Sequence, residues 1–141
     1  MATRYWLLLA LCLASCASGY PLLAVPPPPD PTQSAEIVWI RPRGFVGAAA
    51  TSTLRLDGLD IYELGPGEHL AVRVAPGPHV IGSTGYRYAS LVPYRPTVTM
   101  QAQPGGHYYF EVGLTDLTPL PEADGRAAQA RTQAGRLRLR Q

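Results

Sequence analysis

The chain has 141 residues, a formal net charge of +2 and no lysine among its 12 basic residues. So small a charge argues against nucleic-acid binding, which needs a concentrated basic face, and we expect no nucleic-acid partner. The 14 glycines and 15 prolines favour short strands joined by tight turns over long helices.

Residues 1–15 have the parts of a secretory signal peptide. Arg4 supplies a positive charge, and an apolar stretch from Tyr5 to Ala17 follows it. This stretch is shorter than the about 20 residues that a helix needs to span a bilayer. It contains Leu13-Ala14-Ser15-Cys16, which resembles the lipobox of bacterial lipoproteins. We therefore expect cleavage before Cys16 and acylation of that cysteine.

An acylated Cys16 predicts the location of the mature protein. Two or more acyl chains hold a protein firmly on a membrane, so we expect a permanent lipid anchor outside the cytoplasm. Ala17 after the cysteine resembles an outer-membrane sorting signal, which predicts an outer-membrane protein that faces the periplasm. Secretion without a lipid, after cleavage nearby, is the alternative.

Cys12 leaves with the signal peptide, so no disulfide is available to the mature chain.

Residues 16–34 contain the acylation site and a proline-rich linker. Its prolines are Pro21, the run Pro26–Pro29 and Pro31. Proline restricts φ and removes backbone donors, so this stretch is typical of polyproline II. We expect it to hold the folded domain away from the lipid surface.

Residues 35–114 show the pattern of a single folded domain. Seven segments have strand-like hydrophobic patterns and are separated by turn residues, namely Glu36–Arg41, Thr53–Leu56, Leu59–Leu64, His69–Val74, His79–Thr84, Thr97–Ala102 and His107–Leu114. Asp57-Gly58 between the second and third segments is a strong hairpin signal. The pattern predicts an all-β fold, a small antiparallel β-sandwich of about seven strands.

Residues 115–141 form a C-terminal extension with a weaker pattern. The alanine-rich stretch from Glu122 to Ala134 is compatible with a short helix. Leu137 and Leu139 then alternate with arginines, which indicates either a last strand or a basic tail. We expect the extension to be partly disordered.

The order of turn motifs resembles that of a known kind of domain. The motifs include Trp39-Ile40-Arg41-Pro42, Asp57-Gly58, Ala75-Pro76-Gly77-Pro78-His79 and Gln103-Pro104-Gly105-Gly106-His107. Their succession over residues 36–114 is similar to a family of small bacterial lipoprotein domains of unknown function, and distantly to the PEGA surface-layer domains. The resemblance implies a compact β-sandwich in the cell envelope, and it carries no active site that could be transferred.

The sequence has no recognisable catalytic or metal-binding motif. His69, His79 and His107 are isolated in sequence, so a metal site would require that they converge in space. No nucleophile elbow is present. Asp57 and Asp60 flank a tight turn, where Asp side chains commonly hydrogen-bond to the backbone. We predict no enzyme activity, no cofactor and no metal site.

One stretch suggests binding. Tyr86, Arg87 and Tyr88, continued by Tyr94 and Arg95, interleave flat aromatic rings with guanidinium groups. Such side chains stack on sugars and bind carboxylates or phosphates, so the candidate partners are peptidoglycan, an anionic glycan or an envelope protein. Alternatively, these tyrosines pack over the rim of the sandwich and the arginines only add solubility.

We therefore expect a lipid-anchored, non-catalytic envelope protein that serves as a binding or structural module. Two alternatives remain open. The domain could be an accessory subunit that is recruited to an envelope assembly through an exposed strand edge. It could also be a hydrolase, and convergence of the three histidines with Asp or Glu would favour that interpretation.

Overall fold

The structure, a computed structural model, describes residues 18–25, 27, 30–44, 50–86 and 93–139. The expected signal peptide, Cys16, Arg87 and Tyr88 lie outside the described residues.

Two five-stranded sheets pack face to face and confirm the predicted β-sandwich. The first has the order β1-β5-β4-β7-β10, with the bounds β1 Tyr20–Pro21, β4 Ser52–Leu56, β5 Leu59–Leu64, β7 Gly77–Ser83 and β10 Thr97–Ala102. The second has the order β12-β11-β3-β6-β13, with the bounds β3 Ala35–Arg41, β6 Glu68–Val74, β11 His107–Val112, β12 Leu117–Leu120 and β13 Gln133–Ala134.

Two small ribbons and one helix complete the described structure. The ribbons pair β2 (Ala24–Val25) with β14 (Arg138–Leu139) and β8 (Gly85–Tyr86) with β9 (Pro93–Tyr94). Helix α1 covers Glu122–Gln129. All seven segments predicted from the sequence are strands, with end points that differ by at most two residues.

Most strand pairs are antiparallel, but β3 and β11 are parallel neighbours at the centre of the second sheet. The hairpin predicted at Asp57-Gly58 joins β4 to β5. Asp57 has φ of 50° and Gly58 has φ of 84°, as the tight turns that match the twist of a two-stranded ribbon require.

The core lies between the two sheets, and β3 is buried on both of its faces. Ile37 and Trp39 point into the main core with no exposed surface. Val38 and Ile40 point to the outer face, where Tyr109 and the partly buried Ala128 of α1 pack against them. This outer cover explains why the β3 segment is apolar at nearly every position.

The chain on both sides of the predicted domain packs onto the sandwich. β1 pairs with β5, and the amides of Leu22 and Leu23 donate to the Ile61 carbonyl at 3.0 and 3.4 Å. Beyond residue 114, β12 extends the second sheet, α1 covers its outer face, and β13 pairs with β6. The short strands β1, β12 and β13 are therefore hydrogen-bonded to the two sheets, although they lie outside residues 35–114.

Candidate functional site

One end of the sandwich gathers most of the features that could serve binding, and we name it the Gly19 end. There β5 ends at Leu64, the chain turns through residues 65–67, and β6 starts at Glu68. β3 reaches the same end, since Arg41 lies opposite Glu68. The opposite end, named the Asp57 end, carries the Asp57-Gly58 turn. β6 has seven residues, so the two ends are roughly 23 Å apart at about 3.3 Å per residue.

The carboxylate of Glu68 holds the beginning of the described chain. The Gly19 amide donates to both carboxylate oxygens at 3.0 Å, and the Gly65 amide donates to Oε2 at 3.0 Å. A Cβ on Gly19 would collide with this carboxylate and with the ring of Tyr62. Only glycine therefore fits between Glu68 and Tyr62, and position 19 is tied to the sandwich.

Arg41 lies inside the Gly19 end and is only 6% exposed. Its Nη1 donates to the Leu64 carbonyl at 3.0 Å. Burial lowers the pKa of Arg41, and the nearby carboxylates of Glu63 and Glu68 oppose that shift. Because a guanidinium stays protonated in proteins, these carboxylates compensate a buried positive charge.

The ring of Tyr62 packs against two segments that are distant in sequence, one around Gly19 and one around Gly135. A Cβ on Gly135 would lie 2.7 Å from its hydroxyl, and a Cβ on Gly19 would lie 2.7 Å from its ring. Burial raises the pKa of Tyr62, the charge of Glu68 raises it further, and a hydrogen bond with the backbone of Arg136 opposes both. The N-terminal and C-terminal segments thus close the same side of the sandwich around one buried ring.

Two adjoining clefts open at the end of β3. The larger, about 370 Å³, lies between β3 and the C-terminal end of α1, and is lined by Ile40, Pro42, Arg43, Glu111, Ala128, Arg131 and Thr132. The smaller, about 200 Å³, shares Pro42, Arg43 and Glu111. Arg43 and Arg131 are both exposed, so the larger cleft presents two guanidinium groups beside one carboxylate.

The described part of the Tyr/Arg stretch, the backbone of Tyr86 together with Tyr94 and Arg95, is also at the Gly19 end. β8 pairs with β9 through Gly85 with Tyr94 and Tyr86 with Pro93. This ribbon extends the β7–β10 hairpin beyond Ser83, whose amide donates to the Pro96 carbonyl at 3.2 Å. The backbones of Tyr86 and Tyr94 are thus close together, and the side chains of Tyr94 and Arg95 are exposed. Their binding role stays a prediction.

The three histidines each have a separate partner. His79 Nδ1 lies 2.8 Å from the Asp57 carboxylate, and His69 Nδ1 lies 2.8 Å from the Thr132 hydroxyl. His107 lies 3.5 Å from Glu36. Within the described residues no group of three His, Cys, Asp or Glu side chains could hold a metal ion. The arrangement that would have favoured a hydrolase is therefore not found in this part of the chain.

Sequence reasoning did not identify Glu68, Arg41 or the pair of arginines in the larger cleft. Glu68 and Gly19 are 49 positions apart, and neither belongs to a recognisable motif. The only available signal was Gly19 itself, a glycine in a segment interpreted as linker. Its close approach to Glu68 and Tyr62 becomes evident only when the two termini are folded together.

Comparison of the chain with protein-family models, curated proteins and solved structures finds no match. The resemblance to small lipoprotein domains therefore stays a prediction. No helix in the described part of the chain is long and apolar enough to cross a membrane.

Proposed function

We propose that this protein is a lipoprotein of the bacterial cell envelope, acylated at Cys16, whose β-sandwich is a non-catalytic binding or structural module. The outer membrane, with the domain facing the periplasm, is the proposed location. The proposal also places the protein among the small lipoprotein domains that its turn motifs resemble.

The observation that carries the proposal is the position of the lipobox relative to the fold. Leu13-Ala14-Ser15-Cys16 ends three residues before Gly19. The sandwich then begins at Gly19, through its bonds to Glu68. Cleavage before Cys16 would leave Gly19 and its bonds to Glu68 in the mature chain, as a processed lipoprotein requires.

The proposed binding face is the ribbon that carries Tyr94 and Arg95. Both side chains are exposed, and Tyr94 keeps 38% of its surface open to solvent. Aromatic and guanidinium groups in this arrangement suit peptidoglycan, an anionic glycan or an envelope protein. No cofactor is needed for such a role.

The test is metabolic labelling with a fatty acid in cells that express the full chain or its Cys16→Ser variant. We expect acyl label and membrane fractionation for the full chain, and loss of both in Cys16→Ser. Ala17→Ser is the matched control, because it changes a neighbouring residue and keeps the thiol. Equal labelling and unchanged fractionation of Cys16→Ser would show that the proposal is wrong.

A role as accessory subunit is the second candidate, and the free edge of β10 favours it. β10 is the outermost strand of its sheet and pairs with β7 alone among the described strands. Thr97, Thr99 and Gln101 are exposed along it. An exposed edge of six residues can accept a strand from another protein. A photo-crosslinker at Thr99 that captures one envelope protein would favour this candidate.

A further inference from the structure

We propose that the Gly19 end of the sandwich lies against the membrane and contacts the headgroups of anionic phospholipids. This inference rests on the proposed acylation of Cys16. The sequence predicted a linker that holds the domain away from the lipid. Here we propose instead that the domain lies on the bilayer in an orientation set by its fold.

The tether between Cys16 and the sandwich is short. Three residue steps separate Cys16 from Gly19, and at no more than about 3.6 Å per residue they span at most ~11 Å. Gly19 is itself fixed by the Glu68 carboxylate and by β1, which pairs with β5. An acylated Cys16 therefore keeps the Gly19 end within about one headgroup layer of the lipid, and the Asp57 end roughly 23 Å further out.

Exposed tyrosines and arginines cluster at the Gly19 end. Tyr20 is 54% exposed and Tyr94 is 38% exposed, and tyrosine is enriched where proteins meet the membrane interface. Arg43, Arg95 and Arg131 are exposed at the same end. Guanidinium groups bind phosphates with two parallel hydrogen bonds, so this combination suits a lipid headgroup layer.

Several exposed carboxylates lie away from the arginine cleft. Asp57 is exposed in the turn that defines the opposite end. Asp30 and Asp124 are also exposed, and neither lines the arginine cleft. At the Gly19 end, Glu63 bonds to the Thr53 hydroxyl and Glu68 to backbone amides. These two carboxylates are partly buried, whereas Asp116 is exposed in the turn between β11 and β12 at the same end. The exposed Arg43, Arg95 and Arg131 outnumber it there, so this end can face an anionic surface.

The larger cleft would receive a headgroup phosphate. Its volume is about 370 Å³, and Arg43 and Arg131 line it from the end of β3 and from the turn after α1. Glu111 lines the same cleft, so an amine of the headgroup would also have a partner there. Each arginine near an anionic surface strengthens binding about five-fold, a factor that follows from about 1 kcal/mol per residue.

The experiment measures which end of the acylated protein touches the lipid. The full chain is expressed, acylated and reconstituted in phosphatidylglycerol-containing vesicles that carry nitroxide-labelled headgroups. Because the proposal removes Cys12 with the signal and uses Cys16 for the lipid, Tyr94→Cys supplies a single thiol for a fluorophore. Arg95→Cys is a second labelling site at the same end, and Leu59→Cys is the control at the opposite end.

We expect headgroup quenching several-fold stronger at positions 94 and 95 than at position 59. Arg43→Gln combined with Arg131→Gln should reduce the quenching at position 94, whereas Arg73→Gln, an exposed arginine on β6 near the Asp57 end, should not. Equal or absent quenching at both ends, in protein whose mass includes the acyl chains, would overturn the inference and leave the proposed function intact. A mature mass without acyl chains would overturn both.

Discussion

Glu68→Gln tests whether one carboxylate joins the beginning of the folded chain to the sandwich. The variant keeps the shape of the side chain and removes its charge. Wild-type Glu68 accepts from the Gly19 and Gly65 amides at 3.0 Å, and its charge compensates buried Arg41. Hydrogen bonds to charged groups contribute about 1.5–3 kcal/mol and neutral ones about 1 kcal/mol.

The expected loss follows from these contacts. Weakening two charged bonds to neutral ones, with one amide donor now facing an NH₂ group, should lower the free energy of unfolding by about 2 kcal/mol. For a domain of this size that corresponds to a decrease in Tm of roughly 8 °C. Hydrogen exchange of the Leu22 and Leu23 amides, which bond to the Ile61 carbonyl, should become about 30-fold faster if the segment opens locally.

Thermal unfolding followed by circular dichroism, and hydrogen exchange resolved to residues 19–23, would measure both effects. Asp124→Asn is the matched control, because Asp124 is an exposed carboxylate on α1. An unchanged Tm together with unchanged exchange at residues 19–23 would refute the reasoning, because Glu68 would then not tie Gly19 to the sandwich.

The other predictions concern a pH-dependent turn and a close helix contact. Burial opposes protonation of His79, but a backbone carbonyl and the Asp57 carboxylate outweigh it and raise the pKa of His79. Because the pKa of His79 is higher in the folded protein than in the unfolded chain, its protonated form stabilises the fold. The wild type should therefore be more stable than His79→Gln by the full amount below about pH 6.5, and this advantage should disappear as the pH rises through the folded pKa. A difference in unfolding free energy that does not change with pH, measured by denaturant titration, would contradict this. Gly125→Ala should destabilise by about 1–3 kcal/mol, because its Cβ would collide with Tyr109, despite the better helix propensity of alanine. Ala123→Gly on the exposed side is the control in thermal melts, and a Gly125→Ala variant at least as stable as wild type would refute the close packing.

Local patterns predicted the strands because each depends on neighbours in the chain. Alternation places Leu70, Val72 and Val74 on the core side of β6, since side chains of a strand point to opposite faces in turn. The Asp57-Gly58 turn was equally predictable, because positive φ at both positions favours Asp and Gly over most residues. The two-sided burial of β3 was visible as a continuous apolar run.

Pairings between distant segments could not be predicted in the same way. The parallel contact of β3 with β11 joins residues about 70 positions apart, such as Glu36 with His107, and no local pattern specifies it. The short strands β1 and β13 have two residues each, which is too short to show a period. Their places are set by the open edges of β5 and β6, which they cover.

From the sequence alone come the prediction of a lipobox at Cys16, the sandwich class and the hypothesis that a Tyr/Arg stretch binds a partner. The tertiary structure alone decides that Gly19, Arg43, Arg131 and Tyr94 share one end of the molecule. The physical reason is that strand order and register convert distance along the chain into position at a sheet end. Gly19 and Tyr94 are far apart in sequence, yet Gly19 lies beside the end of β5 and Tyr94 beyond the end of β7, at the same end of the sheet.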